Sequence, residues 1–262
     1  MKLISLNTWG GKVFEPLIEF IQSQADDTDI FCLQEIYDTN SNVKQYKNII
    51  RANLLDELKN ILKDFQVFYF PTLFGFDDEA KKVNFDLSYG IAIFLKNHIK
   101  IADYKNYFIY KPKSLYFLKK DFSNLATPLH HVQISINGKN FHIFNFHGSA
   151  YPPDKLDSDN RLREAKRVWS ILNRTMGAKI LVGDFNLLPN TYLIKTLEKD
   201  FRNLIKEFNI KRTRSNLSPY FKSSDFQKFA DYTFVSKGIE VKNFQVPNIQ
   251  ISDHLPIILE FS

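Results

Sequence analysis

The sequence of 262 residues predicts a mixed α/β fold in which β-sheets pack face to face between helices. Three observations lead there. Short apolar runs of β character alternate with segments of helical spacing. Asn137-Gly138 stands between two β-rich runs and suits a type I′ hairpin turn. Gly numbers only 9 and Pro 10, and no Ser/Gly/Pro tract divides the chain, so a single domain over 1–262 is expected.

The elements follow in order. Leu3–Asn7 reads as a strand, and Leu17, Ile18, Phe20 and Ile21 give Pro16–Ser23 a helical face. Asp29–Gln34 reads as a buried strand that ends at Glu35. Ile49, Ile50, Leu54, Leu55, Leu58, Ile61 and Leu62 then fall on one face of a long helix. Strands are expected at Gln66–Phe70 and Tyr89–Leu95, and a hairpin between His131 and Phe146. Tyr104–Lys120 reads as an edge strand guarded by lysines, or as a basic, aromatic loop facing substrate. Asp159–Arg174 and Thr191–Lys199 have helical spacing. Lys179–Val182, Asp231–Val235, Val241–Val246 and Leu255–Phe261 complete the strands.

Composition narrows the function. With 44% apolar and 24% charged residues the chain is that of a folded globular protein. No apolar run approaches the roughly 20 residues of a membrane-spanning helix, and Leu3–Leu6 is too short for a secretory leader, so a cytoplasmic protein without integral membrane association, and a monomer, is expected. The lone Cys32, in an apolar run, excludes a disulfide framework and a multi-cysteine zinc site and reads as an inert core thiol. Residues 1–100 carry 11 Lys and Arg against 14 Asp and Glu, whereas residues 101–262 carry 24 against 15. That basic balance suits a phosphate-bearing substrate, including nucleic acid, and equally a solvated lysine-rich surface.

Polar residues recur where apolar strands stop. Asn7 follows Leu3–Leu6, Glu35 follows Ile30–Gln34, His147 follows Phe141–Phe146, and Asp184 and Asn186 follow Ile180–Gly183. Asp231 opens one late strand, and Asp253-His254 precedes the last. One such residue is ordinary turn chemistry, but six sites of this type suggest groups converging at one end of a sheet. Asn7, Glu35 and Asp253 offer hard oxygen ligands suited to Mg²⁺ or Mn²⁺. His147 and His254 can move protons near neutral pH, and Asp231 can orient an imidazole. Metal-assisted hydrolysis of a phosphate ester is the matching reaction class. His98, His130, His131 and His142 match no motif and read as structural or surface residues.

Leu6-Asn7-Thr8-Trp9-Gly10, Leu33-Gln34-Glu35, Gly183-Asp184-Phe185-Asn186, Ala230-Asp231-Tyr232 and Ser252-Asp253-His254, in that order, resemble the endonuclease/exonuclease/phosphatase superfamily. The resemblance runs from Leu3 to Glu260. It implies a four-layered α/β sandwich of two packed mixed sheets flanked by helices, and divalent-metal-dependent phosphoester hydrolysis. Carried over by position, Glu35 resembles the principal metal carboxylate, with Asn7 and Asp253 beside it. His254 resembles the histidine that contacts the scissile phosphate or acts as base, paired with Asp231. Asp184 resembles the residue that positions the attacking water, Asn186 a donor to the phosphate, and His147 a histidine of the deoxyribonuclease, sphingomyelinase and inositol-phosphatase branches.

Trp9, where abasic endonucleases usually carry Asp, and His147, where they use Tyr, argue against that branch. The stretch with Lys155, Asp157, Arg161 and Arg212-Thr213-Arg214 is similar to a group of bacterial members of the family. Arg161, Arg212 and Arg214 are candidate substrate contacts, with Arg161 alternatively holding a loop near the site or standing exposed on its helix. The substrate reading favours a nuclease or nucleotide-type phosphodiesterase. The alternatives are a sphingomyelinase- or inositol-phosphatase-like hydrolase of lipid headgroups and a catalytically silent phosphate-binding module.

Overall fold

Two six-stranded sheets stack against each other, with helices on both outer faces. The computed structural model describes residues 1–47, 49–77, 81–111, 125–136, 138–224 and 226–262. In chain order the elements are β1 (Lys2–Asn7), α1 (Phe14–Gln24), β2 (Ile30–Asp38), β3 (Gln45–Tyr46), β4 (Ile50–Arg51), α2 (Leu54–Ile61), β5 (Phe65–Phe74), β6 (Ser88–Lys96) and β7 (Lys100–Tyr110). They continue with β8 (Thr127–Ile136), β9 (Lys139–His147), α3 (Asp159–Arg174), β10 (Ala178–Asp184), α4 (Tyr192–Asp200), β11 (Phe201–Asn203), α5 (Leu204–Glu207), β12 (Asp231–Ser236), β13 (Val241–Gln245) and β14 (Ile257–Phe261). The first sheet has the order β13-β14-β1-β2-β6-β5 and the second β11-β12-β10-β9-β8-β7. Each has one parallel pair at its centre, β1 with β2 and β10 with β9, among antiparallel neighbours.

The period-two alternation of the strands sorts residues between layers. Ile4, Leu6, Phe31 and Leu33 pack outward on Leu17, Ile21, Leu54 and Leu58 of α1 and α2. Leu3, Ile30 and Cys32 share a buried cluster with Ile143, Ile180, Val182 and Val235 of the second sheet. On the outer side of that sheet α3 and α4 contribute Ala165, Val168, Leu172, Ile194 and Leu197 at helical spacing. Ser158 caps α3 by accepting from the Arg161 N–H at 3.4 Å. Among the described residues no helix is long and apolar enough to cross a membrane.

Polar residues couple the sheets within this apolar interface. Gln34 Nε2 donates to Asn145 Oδ1 at 2.7 Å, and Asn145 Nδ2 donates to the carbonyls of Leu33 and Ala92, both at 3.1 Å. Breaking one such buried bond leaves a polar atom without water, a cost of about 1–3 kcal/mol. The clamp therefore fixes how β2 lies across β9, one residue before Glu35 and two before His147.

Two expectations need correction. The long helix through Ile49–Leu62 is shorter, because Ile50 is taken up by the β4 pairing and Ile49 is exposed; α2 begins at Leu54. The second strand does not stop at Glu35 but continues to Asp38 through a bulge. The edge-strand reading fits β7 from Tyr104 to Tyr110, paired to β8 on one side only, while 112–124 lie outside the described residues. The hairpin is present, with Ile136 opposite Lys139 and Gly138 at φ +76°, although Asn137 itself lies outside the described residues.

Candidate active site

The strand ends of both sheets meet at one rim. Asn7 closes β1 on its inward face, and its Nδ2 donates to Glu35 Oε1 and to Asp184 Oδ2, each at 3.0 Å. One amide thus bridges a carboxylate from each sheet. Its Oδ1 accepts the Trp9 N–H at 3.0 Å, and its backbone carbonyl accepts Ser252 Oγ–H at 2.6 Å.

Glu35 reaches this place through a backbone irregularity. In a regular β2 it would share the outward face of Phe31 and Leu33, under α1 and α2. The register instead shifts between Leu33 and Ile36, and Glu35 takes φ +57°. The extra residue turns the carboxylate inward and returns Ile36 to the outward face. A left-handed conformation in a residue other than glycine costs energy, so the surrounding pairing must hold it.

Asp184 ends β10 and is buried. Its Oδ1 accepts the Asn186 N–H at 2.8 Å, and its Oδ2 lies 3.6 Å from His254 Nε2 and 3.8 Å from His147 Nε2. Burial opposes its ionisation, but His254, His147, Arg214 and Lys155 more than offset it and hold the carboxyl at about 2. Gly183, at φ +132°, lets β10 lie this close to β9: a Cβ there would stand 2.0 Å from the Phe146 carbonyl oxygen.

His254 and Asp231 form a buried pair, with Nδ1 2.9 and 2.8 Å from the two Asp231 oxygens. Burial and Arg214 act against the imidazolium, while Asp231, Asp253 and Asp184 outweigh them and raise it to about 9. Thr213 joins the two chain segments: its Oγ1 accepts the N–H groups of Ala230 and Asp231 at 3.0 and 3.1 Å, and its carbonyl accepts Leu255 N–H at 2.7 Å. Asp253 is ion-paired to Arg214 at 2.7 Å and lies 3.8 Å from His254 Nε2.

The donor set fits a hard divalent cation. Glu35, His147 and Asp184 place ligand atoms within 4.8 Å of one another, as do Asp184, Asp231 and His254. Glu35 has no Lys or Arg ion partner among the described residues, whereas Asp253 has Arg214. An inward, half-buried carboxylate with no Lys or Arg paired to it and an imidazole 3.9 Å away is the expected holder of a metal ion, with Asn7 adjacent.

Of the residues singled out in the sequence, Asn7, Glu35, His147, Asp184, Asn186, Asp231 and His254 form one connected cluster, and Asp253 adjoins it through His254. The arginines divide. Arg214 lines a cavity of about 850 Å³ beside the cluster, together with Trp9, Lys155, Tyr220 and Asp253. Arg161 does not serve as a substrate contact: its buried guanidinium bonds the carbonyls of Ser149, Pro152 and Leu156 and the Asp154 carboxylate, so it holds the loop. Arg212 is spent on Asn216 and Asn248 and stacks on Phe221, away from the cavity lining. His130 packs on Phe68 and Phe70 between the sheets, and His131 bonds His142 at 3.0 Å, apart from the cluster. Gln34, Thr213 and Ser252 stand within the segments that carry the resemblance, and Asn145 does not, but the sequence assigns none of them a role, since their partners are distant backbone groups or another strand.

Glu164 of α3 props the loop after β9. It accepts Thr127 Oγ1–H at 2.7 Å and the Ser149 N–H at 3.4 Å. Burial pushes its carboxyl up to about 7 from 4.5, despite those donors. A raised acid contributes stability that is full below its unfolded pKa and is lost as pH rises through the folded value. Between pH 4.5 and 7 it should therefore remove roughly 3 kcal/mol of stability. In Glu164→Gln this slope should vanish, so the urea-denaturation difference between variant and wild type should change with pH across that window. A constant difference would contradict the assignment.

The Endonuclease/Exonuclease/phosphatase family model matches residues 4–254. No curated protein matches the sequence. Among solved structures, a family protein from Leptotrichia buccalis aligns with TM-score 0.73 at 20% identity, covering 100% of this chain and 99% of its own. A mannosyl-6-phosphatase from Bacteroides thetaiotaomicron aligns with TM-score 0.67 at 18% identity, covering 100% and 99%. The human Nocturnin catalytic domain, with a bound sulfate anion, aligns with TM-score 0.63 at 17% identity, covering 100% and 94%. At these identities the structures speak for the fold alone, and it is the family match over nearly the whole chain that assigns it to the endonuclease/exonuclease/phosphatase family of metal-dependent phosphoester hydrolases.

Proposed function

We propose that the protein is a Mg²⁺-dependent phosphodiesterase whose substrate carries a compact, nucleotide-sized organic group. The observation that supports it is the meeting of Asn7, Glu35, Asp184 and the His254–Asp231 pair beside the cavity. Glu35 and Asn7, with Asp253 nearby, would hold the ion. When bound, it supplies positive charge that offsets the anionic phosphoryl oxygens. Asp184, ionised and held by Asn7 and Asn186, orients the attacking water. His254, fixed by Asp231, presents Nε2 to the phosphoryl group, and His147 Nε2 lies near the same Asp184 oxygen.

Cavity size supports a compact substrate over a nucleic-acid polymer. About 850 Å³ lies within the range of roughly 300–1,000 Å³ typical of small-molecule sites. Asp154 and Asp253 line it alongside Lys155 and Arg214, so it is not a uniformly basic track for a phosphate backbone. Trp9 and Tyr220 offer aromatic faces on which a base or other ring can stack.

Activity should vanish in EDTA and return with Mg²⁺ or Mn²⁺. The assay compares dinucleotides and mononucleotide esters with plasmid DNA, RNA, sphingomyelin vesicles, inositol phosphates and sugar phosphates. Undiminished turnover in EDTA would refute the metal dependence. Cleavage of vesicle lipid alone, or of polymer in preference to dinucleotide, would refute the substrate reading.

A further inference from the structure

Asn186 cannot serve the substrate as a donor in this arrangement. Its two side-chain N–H groups are used by the Gly148 carbonyl at 3.1 Å and by Asp184 Oδ2 at 3.2 Å. Its Oδ1 accepts from Lys155 Nζ at 2.7 Å. The amide thus connects Asp184 to a buried lysine.

That lysine is unusual among the cations of the chain. Its Nζ donates to Asn186 Oδ1 and, at 2.8 Å, to the Ala150 carbonyl, which accounts for two of its three N–H bonds. Only 9% of the residue is exposed, yet among the described residues it forms no ion pair with a carboxylate. Burying a cation without a paired anion is costly. Asp184 and Glu35 face it with negative charge, Arg214 and Arg161 with positive, and burial lowers its pKa to about 8, so the ammonium persists at neutral pH.

The backbone is built to hold Lys155 there. It adopts φ +59°, and its carbonyl accepts the Leu188 N–H at 3.0 Å, on the strand-end loop that carries Asn186. On the other side of the loop, the buried Arg161 guanidinium gathers the carbonyls of Ser149, Pro152 and Leu156. Lys155 also lines the cavity, beside Arg214 and Asp253.

We infer that Lys155 donates its remaining N–H to a phosphoryl oxygen of the substrate and is the phosphate-binding cation of this site, with Asn186 as its positioning residue. The inference rests on the reading of the cavity as a phosphoester site. It also gives the unpaired buried charge its missing anion, through a charge-assisted hydrogen bond.

The test uses the full chain and two readouts. Inorganic phosphate is titrated calorimetrically in Mg²⁺ and in EDTA, and kcat/KM is measured on the best phosphoester of the panel. Lys155→Met should weaken phosphate binding and lower kcat/KM by roughly 10- to 100-fold, the usual worth of one charge-assisted bond. Lys155→Arg, which keeps the charge, should recover part of both. Should the methionine variant fail to fold, as judged by circular dichroism, Lys155→Gln is measured in its place with the same expectation. Equal phosphate affinity in wild type and the uncharged variant, or no phosphate binding by wild type, overturns the inference. A variant that melts earlier but binds phosphate normally overturns it as well, by reducing Lys155 to a structural role. Wild type that binds phosphate through Lys155 but turns over no phosphoester would sink the hydrolase reading and leave this one standing.

Discussion

Turnover should fall by about 10²- to 10⁴-fold when His254 is replaced by alanine, the range typical of a positioned acid–base group. His254 Nδ1 is held by both oxygens of Asp231 at 2.9 and 2.8 Å, so the ring has one orientation and Nε2 faces the rim. There it lies 3.6 Å from Asp184 Oδ2, close enough to reach a phosphoryl group whose water Asp184 would orient in the proposed reaction. Alanine removes that contact and leaves the buried Asp231 carboxylate without its partner. Asp231→Asn should do comparable harm, since an amide N–H in place of one acceptor oxygen can donate to Nδ1 and fix the ring in the tautomer that leaves Nε2 protonated. In both variants Mg²⁺ affinity, measured by calorimetry, should stay within about threefold of wild type, because neither residue adjoins the Asn7–Glu35 pair. A His254→Ala enzyme with near-normal kcat would remove His254 from the reaction.

Much of this site could be read from the chain because strand periodicity does two things at once. In β1, alternation puts Leu3, Ser5 and Asn7 on the face opposite Ile4 and Leu6, and Asn7 is where the strand stops. His147 and Asp184 obey the same rule, and they stand side by side in the register of β9 and β10. Glu35 does not obey it. Its motif marked it, but its parity places it on the wrong face, and only the bulge brings it in. A bulge depends on pairing with β6, which is far away in sequence, so nothing local announces it. The role of Thr213 was hidden for a related reason, since its hydroxyl serves backbone groups 17 and 18 residues away. Of the readings offered for Arg161, the loop-holding one agrees with the structure. Its position in a polar helix invites a surface or substrate role, whereas the structure buries it beneath a loop whose carbonyls need donors. Ile49 and Ile50 likewise extended an apolar helical stripe that a two-residue β pairing interrupts.

The two sheets contribute unequal chemistry, and this explains the clamp between them. Asn7, Glu35 and Asp253-His254 belong to the first sheet and its connections, while His147, Asp184 and Asp231 belong to the second. A shift of one sheet on the other would separate Asn7 from Asp184 and Asp231 from His254 together. Gln34 with Asn145 resists such a slide from inside, and Asn7 with Asp184 resists it at the rim. Groups that must hold reacting atoms to fractions of an ångström are thus mounted on rigid strand ends and braced across the interface.

Replacing Glu35 by glutamine should separate metal binding from the rest of the site. The amide oxygen can still accept from Asn7 Nδ2, so the variant keeps the shape and loses only the charge. Glu35 has no Lys or Arg ion pair among the described residues, and without metal its carboxylate faces Asp184 across Asn7, with His147 Nε2 at 3.9 Å and the more distant charges of Lys155 and Arg214 offsetting that repulsion only in part. In EDTA, Glu35→Gln should therefore unfold at a urea concentration equal to or above that of wild type. Adding Mg²⁺ should reverse the order. A ligand present at 100 times its Kd stabilises the native state by about 2.7 kcal/mol, and a variant with weakened affinity forfeits most of that at the same concentration. Even partners outside the ligand shell are worth roughly 10- to 100-fold in metal affinity, so loss of a ligating carboxylate should cost at least as much. Activity should be correspondingly low and partly restored by high Mg²⁺, a rescue that His254→Ala cannot show. Equal Mg²⁺-linked stabilisation of wild type and Glu35→Gln would move the metal away from Glu35, and the remaining cluster, Asp184 with Asp231 and His254, would then have to hold it.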